Sequence, residues 1–349
     1  MPAQVDCRAM SPSNALSITT FRIIGADIKI AHSVFALPFA LLAAFMAALG
    51  PTRGTWFMTG EDVDSMAGYA HQFLHPQYSS AFWRQFSGQL VLIVLAMIFA
   101  RTAAMLANRL LDSEIDARNP RTAGRAIPSG NLSPRRAYLA SLLAAGLFIA
   151  ICAAFGFLYG NWWPLILSVP VLSWLCSYAL AKRFTTLCHI YLGLSLAVSP
   201  LAAAIAAYPP PFPDQPFPLT SQPALWLLAG MVLCWVAGFD IIYALQDVDV
   251  DRAQGLHSIP ARLGPAGALW VSRGLHAIAL ACLIAAWRID DRFDVLFAIG
   301  LGIVAILLIY EHATVSRWGT SKIALAFFTL NGIISCALGA LGIADVLVA

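Results

Sequence analysis

Residues 108–130 read NRLLDSEIDARNPRTAGRAIPSG, directly after a long apolar run. On a helix, Asn108, Asp112 and Asp116 fall at i, i+4 and i+8 and project from one face. Two carboxylates on one face repel, and a bound cation offsets that repulsion. All the ligand atoms offered are oxygens, which suits Mg2+, a hard ion held by a few carboxylates together with water and phosphate oxygens. The four arginines of the stretch, Arg109, Arg118, Arg121 and Arg125, add planar forks for phosphate.

The stretch has a partner. Residues 238–264, GFDIIYALQDVDVDRAQGLHSIPARLG, repeat its plan: an apolar helix, a polar residue, DxxxD, then a basic loop reaching Ile-Pro and Gly. Asn108, Asp112, Asp116, Ile127, Pro128 and Gly130 correspond to Tyr243, Asp247, Asp251, Ile259, Pro260 and Gly264. In the second copy Asp240, Tyr243, Asp247 and Asp251 form one helical stripe, while Glu114 and Asp249 fall off their stripes and read as solvated. A single DxxxD at the end of an apolar run is usually just solvated. Two copies, each with a third polar residue and a matching basic loop, point to divalent metal and diphosphate.

The surroundings are those of a membrane protein. Of 349 residues 60% are hydrophobic and 11% charged, about half the charge usual in soluble domains. The apolar runs are continuous and about 20 residues long, which suits spanning helices and not the residue-by-residue alternation of a membrane barrel. Nine spans are expected, near 22–49, 88–110, 137–159, 164–181, 187–208, 223–245, 266–287, 293–310 and 323–347. The predicted fold is therefore all-α: about nine transmembrane helices around a central cavity, a duplicated four-helix unit plus one. Residues 1–21 read as a polar cytoplasmic tail without the apolar core of a cleavable signal, and 22–349 as the membrane domain. An inward N-terminus leaves only Arg53, Arg84, Arg288 and Arg292 of the 21 Lys and Arg outside, so both acid motifs face the cytoplasm.

Two outer loops stand apart. Residues 51–87 form a long polar insertion, and the proline-rich stretch near 208–223 is expected to be extended. His71 and His75 lie four apart but lack a third ligand. Six of the seven cysteines lie in or beside apolar runs without CxxC spacing, so packed thiols are expected. The net charge of +3 gives no nucleic-acid signal, and no obligate protein partner is implied.

Further candidates come from the span ends. Tyr178 and Lys182 share a face at i, i+4, with Arg183 beside them, and read as diphosphate ligands, although Lys182 and Arg183 also fit simple positive-inside anchors. Lys29 and His32 in the first span are candidate contacts for an acceptor. An acid such as Asp240 inside an apolar span costs several kcal/mol unless paired or hydrated, and so asks for a partner.

The motifs NRLLDSEID with RTAGRAIPSG, YALAKRFT at 178–185, and DIIYALQDVDVD with GLHSIPARLG resemble those of the UbiA superfamily of intramembrane aromatic prenyltransferases. The first span, IKIAHSVFALPFALLAA, is most similar to the bacterial 4-hydroxybenzoate polyprenyltransferase branch, including its menaquinone-pathway relatives. The resemblance covers nearly the whole chain, apart from the two outer loops. It implies a Mg2+-dependent enzyme of the bacterial inner membrane, with its site toward the cytoplasm, that joins a polyprenyl diphosphate to a small aromatic acid. Asp112, Asp116, Asp247 and Asp251 would hold Mg2+, with Asn108 and Asp240 supporting. Arg121, Arg125, Tyr178 and Lys182 would hold diphosphate or orient the acceptor, with Arg183, Tyr243 and Lys29 nearby, and Asp247 could also accept the ring proton. A menaquinone-pathway precursor is the alternative acceptor. A cation-coupled transporter is the reading from another class, since intramembrane acids and duplication are also found there.

Overall fold

The computed structural model describes residues 18–28, 35–50, 80–208, 217–323 and 325–349. The described residues form α1 (Ile18–Asp27), α2 (Leu37–Leu49), α3 (Ser80–Leu111), α4 (Ser113–Ala117), α5 (Pro134–Tyr159), α6 (Trp163–Ser177), α7 (Cys188–Ala207), α8 (Pro223–Ala244), α9 (Val248–Ala253), α10 (Ile259–Ile289), α11 (Val295–Trp318) and α12 (Asn331–Val348). Eight of the resulting helical segments are long and apolar enough to cross a membrane. They lie where the apolar runs predicted them.

The first expected span differs. In place of one helix over 22–49 there are α1 and the 13-residue α2, on either side of residues 29–34. At 1.5 Å per residue α2 extends about 20 Å, short of the ~30 Å of a hydrocarbon core. The physical cause is Pro38, which stands in the first turn of α2, where a missing N–H is tolerated and a helix starts readily. Lys29 and His32 lie outside the described residues.

Two further boundaries move. Residues 80–87, read from their polarity as insertion, are the first turns of α3, because Phe86, 1% exposed, packs there against Phe45 and Phe82. Within the proline-rich stretch, Pro218–Ser221 makes one helical turn and is not extended, with its proline again in the first turn. The rest of both loops, 51–79 with His71 and His75 and 209–216, lies outside the described residues.

The apolar centre is α8. As far as Gly238 it is apolar all round, as a helix enclosed by others should be, and it packs against α7 on one side and α10 on another. Trp235, Leu228 and Val232 of α8 are fully buried among Phe39, Met46 and Phe297. α7 approaches closely because Gly193 lies on the Leu233 carbonyl and the Ala237 side chain of α8, leaving no room for a Cβ. At the end of the bundle away from the acid motifs, Arg292 is buried and fully used: it donates to Asp290, to Gln222, and to the carbonyls of Met46 and Gly50.

The close α7–α8 approach gives a first test. Gly193→Ala should push these helices apart at a cost of about 1–3 kcal/mol, the range for overpacking a filled core. The check is thermal unfolding of purified protein in detergent. An unchanged midpoint would show that the helices have slack there.

Candidate active site

Both acid motifs break their helix at the first aspartate. α3 ends at Leu111, and Asp112 has φ −95° and ψ 5° before α4 begins. In the second copy Asp247 has φ −108° and ψ 6° before α9. This sparsely populated bridge region is common at functional sites. The predicted stripe survives the first break, since the Asp112 N–H still bonds the Asn108 carbonyl at 2.9 Å and the Asp116 N–H the Asp112 carbonyl at 2.8 Å. The duplication also extends to the loops: Gly130 and Gly264 both take positive φ, 79° and 72°, which glycine adopts without strain.

Between α3, α6, α7 and α8 lies a cavity of about 810 Å³. Its lining follows the helices in order. On α3 it runs from Val94, Met97 and Ile98 through Arg101 and Met105 to Asn108, then on to Asp112. On α8 it runs from Val236 and Phe239 through Asp240 and Tyr243, then on to Asp247 and Asp251. One end is apolar and the other carries the charges.

The charges at the mouth are matched pair by pair. Lys182 Nζ sits 2.8 Å from Asp112 Oδ2, and Arg183 Nη2 is 3.6 Å from Asp112 Oδ1 while donating to the Leu111 carbonyl. Arg121 grips Asp247 with Nε to Oδ1 at 2.9 Å and Nη2 to Oδ2 at 2.6 Å, and its Nη1 donates to the Tyr243 hydroxyl at 2.9 Å. Asn119 adds a bond to Asp247 at 2.9 Å. Partial burial works against charge on Arg121, but the bonds to Asp247 and Tyr243 outweigh it and hold its pKa above the ordinary arginine value. Arg125 Nη1 bridges both oxygens of Asp116 at 2.7 Å, and Asp251 accepts from Ser258 at 2.7 Å.

Most of the predicted residues therefore converge. Asn108, Asp112, Arg121, Arg125, Tyr178, Lys182, Asp240, Tyr243, Asp247 and Asp251 all line the cavity. Asp116 and Arg183 do not, and Asp116 is bonded to Arg125. Four residues were not singled out from the sequence. Asp27 of α1 bonds Arg109 Nε at 3.0 Å and the Ala126 N–H at 2.9 Å, tying the end of α3 to the basic loop. Asn119, His189 and Ser258 each hold one motif aspartate or Asp240. Of these, only Asp27 carried a signal, as an acid in what was read as an apolar span.

The donors fit a hard divalent ion in part. Among the described residues no three His, Cys, Asp or Glu side chains stand together as a ready-made metal site. Asp112 Oδ1, however, is buried without a hydrogen bond, and every acid at the mouth offers oxygen. That arrangement suits an ion that completes its shell with water and phosphate oxygens, as Mg2+ does.

An all-helical bundle with a half-apolar, half-charged cavity defines a polytopic membrane protein that takes an amphiphile carrying an anionic head. Comparison with known proteins narrows this. The model of the UbiA prenyltransferase family matches residues 65–333, and the chain belongs to that family. It is similar to the 4-hydroxybenzoate octaprenyltransferases of Edwardsiella ictaluri (28% identity over 247 residues, 70% of this chain and 79% of the relative) and of Nitrosomonas europaea (31% over 248 residues, 70% and 78%). Among solved structures, a UbiA homologue from Aeropyrum pernix K1 superposes with a TM-score of 0.71 at 30% identity, covering 90% of this chain and 98% of that one. One from Archaeoglobus fulgidus, bound to GPP and Mg2+, gives 0.61 at 19% identity over 93% and 99%, a likeness of fold alone. The chain is thus a multi-pass membrane protein of a prenyltransferase family, and nothing favours the transporter reading.

The Arg121–Asp247 fork can be measured. Arg121→Ala and Asp247→Ala, alone and combined, should couple by about 1–3 kcal/mol in thermal unfolding, as contacting charged residues do. Additive effects would mean that the two motifs do not touch in the folded protein.

Proposed function

We propose that this protein transfers a polyprenyl group from a polyprenyl diphosphate to 4-hydroxybenzoate, at the ring carbon ortho to the hydroxyl, in ubiquinone-type quinone biosynthesis. The observation that carries the reading is the cavity itself, with an apolar end leading to a mouth where the two acid motifs meet Arg121, Arg125 and Lys182. The acceptor follows from the names of the relatives. A menaquinone-pathway precursor is the alternative acceptor.

In this reading the tail lies along Val94, Met97, Ile98, Leu192 and Leu196, and its diphosphate reaches Lys182, Arg121 and Arg125. Among the described residues the cavity lining carries five cations (Arg101, Arg109, Arg121, Arg125, Lys182) and five carboxylates (Asp27, Asp112, Asp240, Asp247, Asp251). Asp112, Asp247 and Asp251 would hold Mg2+, with Asp116 acting through Arg125. When bound, Mg2+ neutralises the charge that builds on the departing diphosphate. Lys182 and Arg121 turn from their aspartates to the phosphate oxygens, each contact worth on the order of 4 kcal/mol at 4 Å and an effective dielectric near 20. Arg101, deeper on α3, supplies a cation for the acceptor's carboxylate, and Tyr178 walls the ring. The mouth faces the cytoplasm of a bacterial inner membrane by the distribution of Lys and Arg.

The test is purified protein with Mg2+, a polyprenyl diphosphate and 4-hydroxybenzoate, with product read by mass spectrometry. Asp112→Asn and Asp247→Asn should each lower kcat by about 10²-fold or more, since each removes a group that acts on developing charge. Lys182→Met should chiefly raise KM for the diphosphate. Full activity in either aspartate variant would defeat the metal assignment, and absence of product with the unaltered protein would defeat the acceptor.

A further inference from the structure

Transfer to an aromatic ring makes two demands, and the charged mouth answers only one. The allylic C–O bond breaks with its electron pair going to the diphosphate, and a ring π pair forms the new C–C bond. The attacked carbon then still carries its hydrogen. Aromaticity returns only when that C–H bond gives its pair back to the ring and the proton passes to a base. The base must lie beside the ring, deeper than the diphosphate.

Of the five carboxylates that line the cavity among the described residues, three are held by permanent cations: Asp27 by Arg109, Asp112 by Lys182 and Asp247 by Arg121. Asp251, held by Ser258, lies four residues beyond Asp247, at the mouth. Asp240 differs in partner and in depth. It stands seven residues before Asp247 on α8, about 10 Å toward the apolar end at 1.5 Å per residue, next to Phe239 and Val236 in the lining. Its partner is His189, in the first turn of α7, with Nδ1 2.7 Å from Asp240 Oδ2. The His189 side chain is 4% exposed and that of Asp240 23%. His189 Nε2 is buried without a hydrogen-bond partner, so the imidazole is committed to Asp240. With Asp240 ionised, Nδ1 carries the hydrogen and donates it, which pins Oδ2 and leaves Oδ1 for the cavity.

We propose that Asp240 accepts the ring proton through Oδ1 and that His189 is the positioning residue that holds it there. The inference rests on the aromatic prenyl transfer proposed above. It moves the base from Asp247, which Arg121 grips with two bonds and which would serve the metal, to the one deep carboxylate among the described residues that is free of both tasks. The close seat of α7 on α8 at Gly193, one turn further along α7, keeps the pair in register.

The experiment uses 4-hydroxybenzoate deuterated at the ring carbons ortho to the hydroxyl, with the full-length protein, Mg2+ and a polyprenyl diphosphate. In the unaltered protein kcat should be nearly the same for both isotopic acceptors, proton loss being fast. Asp240→Asn should lower kcat by about 10²-fold or more, the usual worth of a positioned base, leave KM for the diphosphate within about twofold, and bring out a normal isotope effect on kcat. Asp240→Glu should recover part of the rate. His189→Gln keeps an amide beside Asp240 and should show the same isotope effect with a smaller loss, of about tenfold. Retained kcat in Asp240→Asn would overturn the proposal, as would a loss confined to KM for diphosphate or Mg2+ with no isotope effect. If Asp240→Asn fails to fold, the isotope effect in His189→Gln decides. Failure of the unaltered protein to prenylate 4-hydroxybenzoate would defeat the functional reading and this inference together, whereas normal turnover with isotope-insensitive variants defeats this inference alone.

Discussion

The site depends on one contact between the two halves of the chain, the fork of Arg121 on Asp247. Arg121 comes from the basic loop behind the first DxxxD motif and Asp247 from the second, 126 residues apart. The two parallel bonds, joined by Asn119 on the same carboxylate, fix distance and angle together. Without that contact Asp247 would be left with Asn119 alone, at a mouth where Asp112 and Asp116 have Lys182 and Arg125. With it, both face one mouth.

The helix breaks at Asp112 and Asp247 serve the same end. At each a short helix follows, and the loop behind the first brings Arg121, Thr122 and Arg125 into the cavity lining. Asp27 adds an anchor from α1: its carboxylate bonds both Arg109 and the Ala126 N–H, and Arg109 in turn donates to Asn108 at 3.0 Å. The line from α1 through Arg109 and Asn108 reaches Asp112 itself, to which Asn108 donates at 3.1 Å. Position at the mouth is thus set by bonds between distant segments, and depth by the apolar packing of α8.

Much of this was legible in the residues. Continuous apolar runs marked eight helices, because a chain that must satisfy its backbone in lipid has few options. The paired DxxxD motifs marked the site, because a repeated helical stripe of acids needs a reason. What the sequence hid is what single residues decide through tertiary contact. Pro38 starts a new helix inside an apolar run, and Phe86 draws a polar stretch into α3. Asn119, His189 and Ser258 are ordinary polar residues until the fold sets each against one carboxylate. Asp116 fits the acid stripe as well as Asp112 does, yet only Asp112 lines the cavity while Asp116 is turned to Arg125, a distinction that periodicity cannot make.

The central claim is that two duplicated helix breaks share one diphosphate. A crystal structure of the protein with Mn2+ and an unreactive prenyl thiodiphosphate analogue tests it most directly, because the anomalous signal of Mn2+ locates each ion. We expect ions held from both sides of the diphosphate, one beside Asp112 and one beside Asp247, with Lys182 and Arg121 turned from their aspartates to the phosphate oxygens. Ions on one motif alone, or a diphosphate bound away from both, would contradict it.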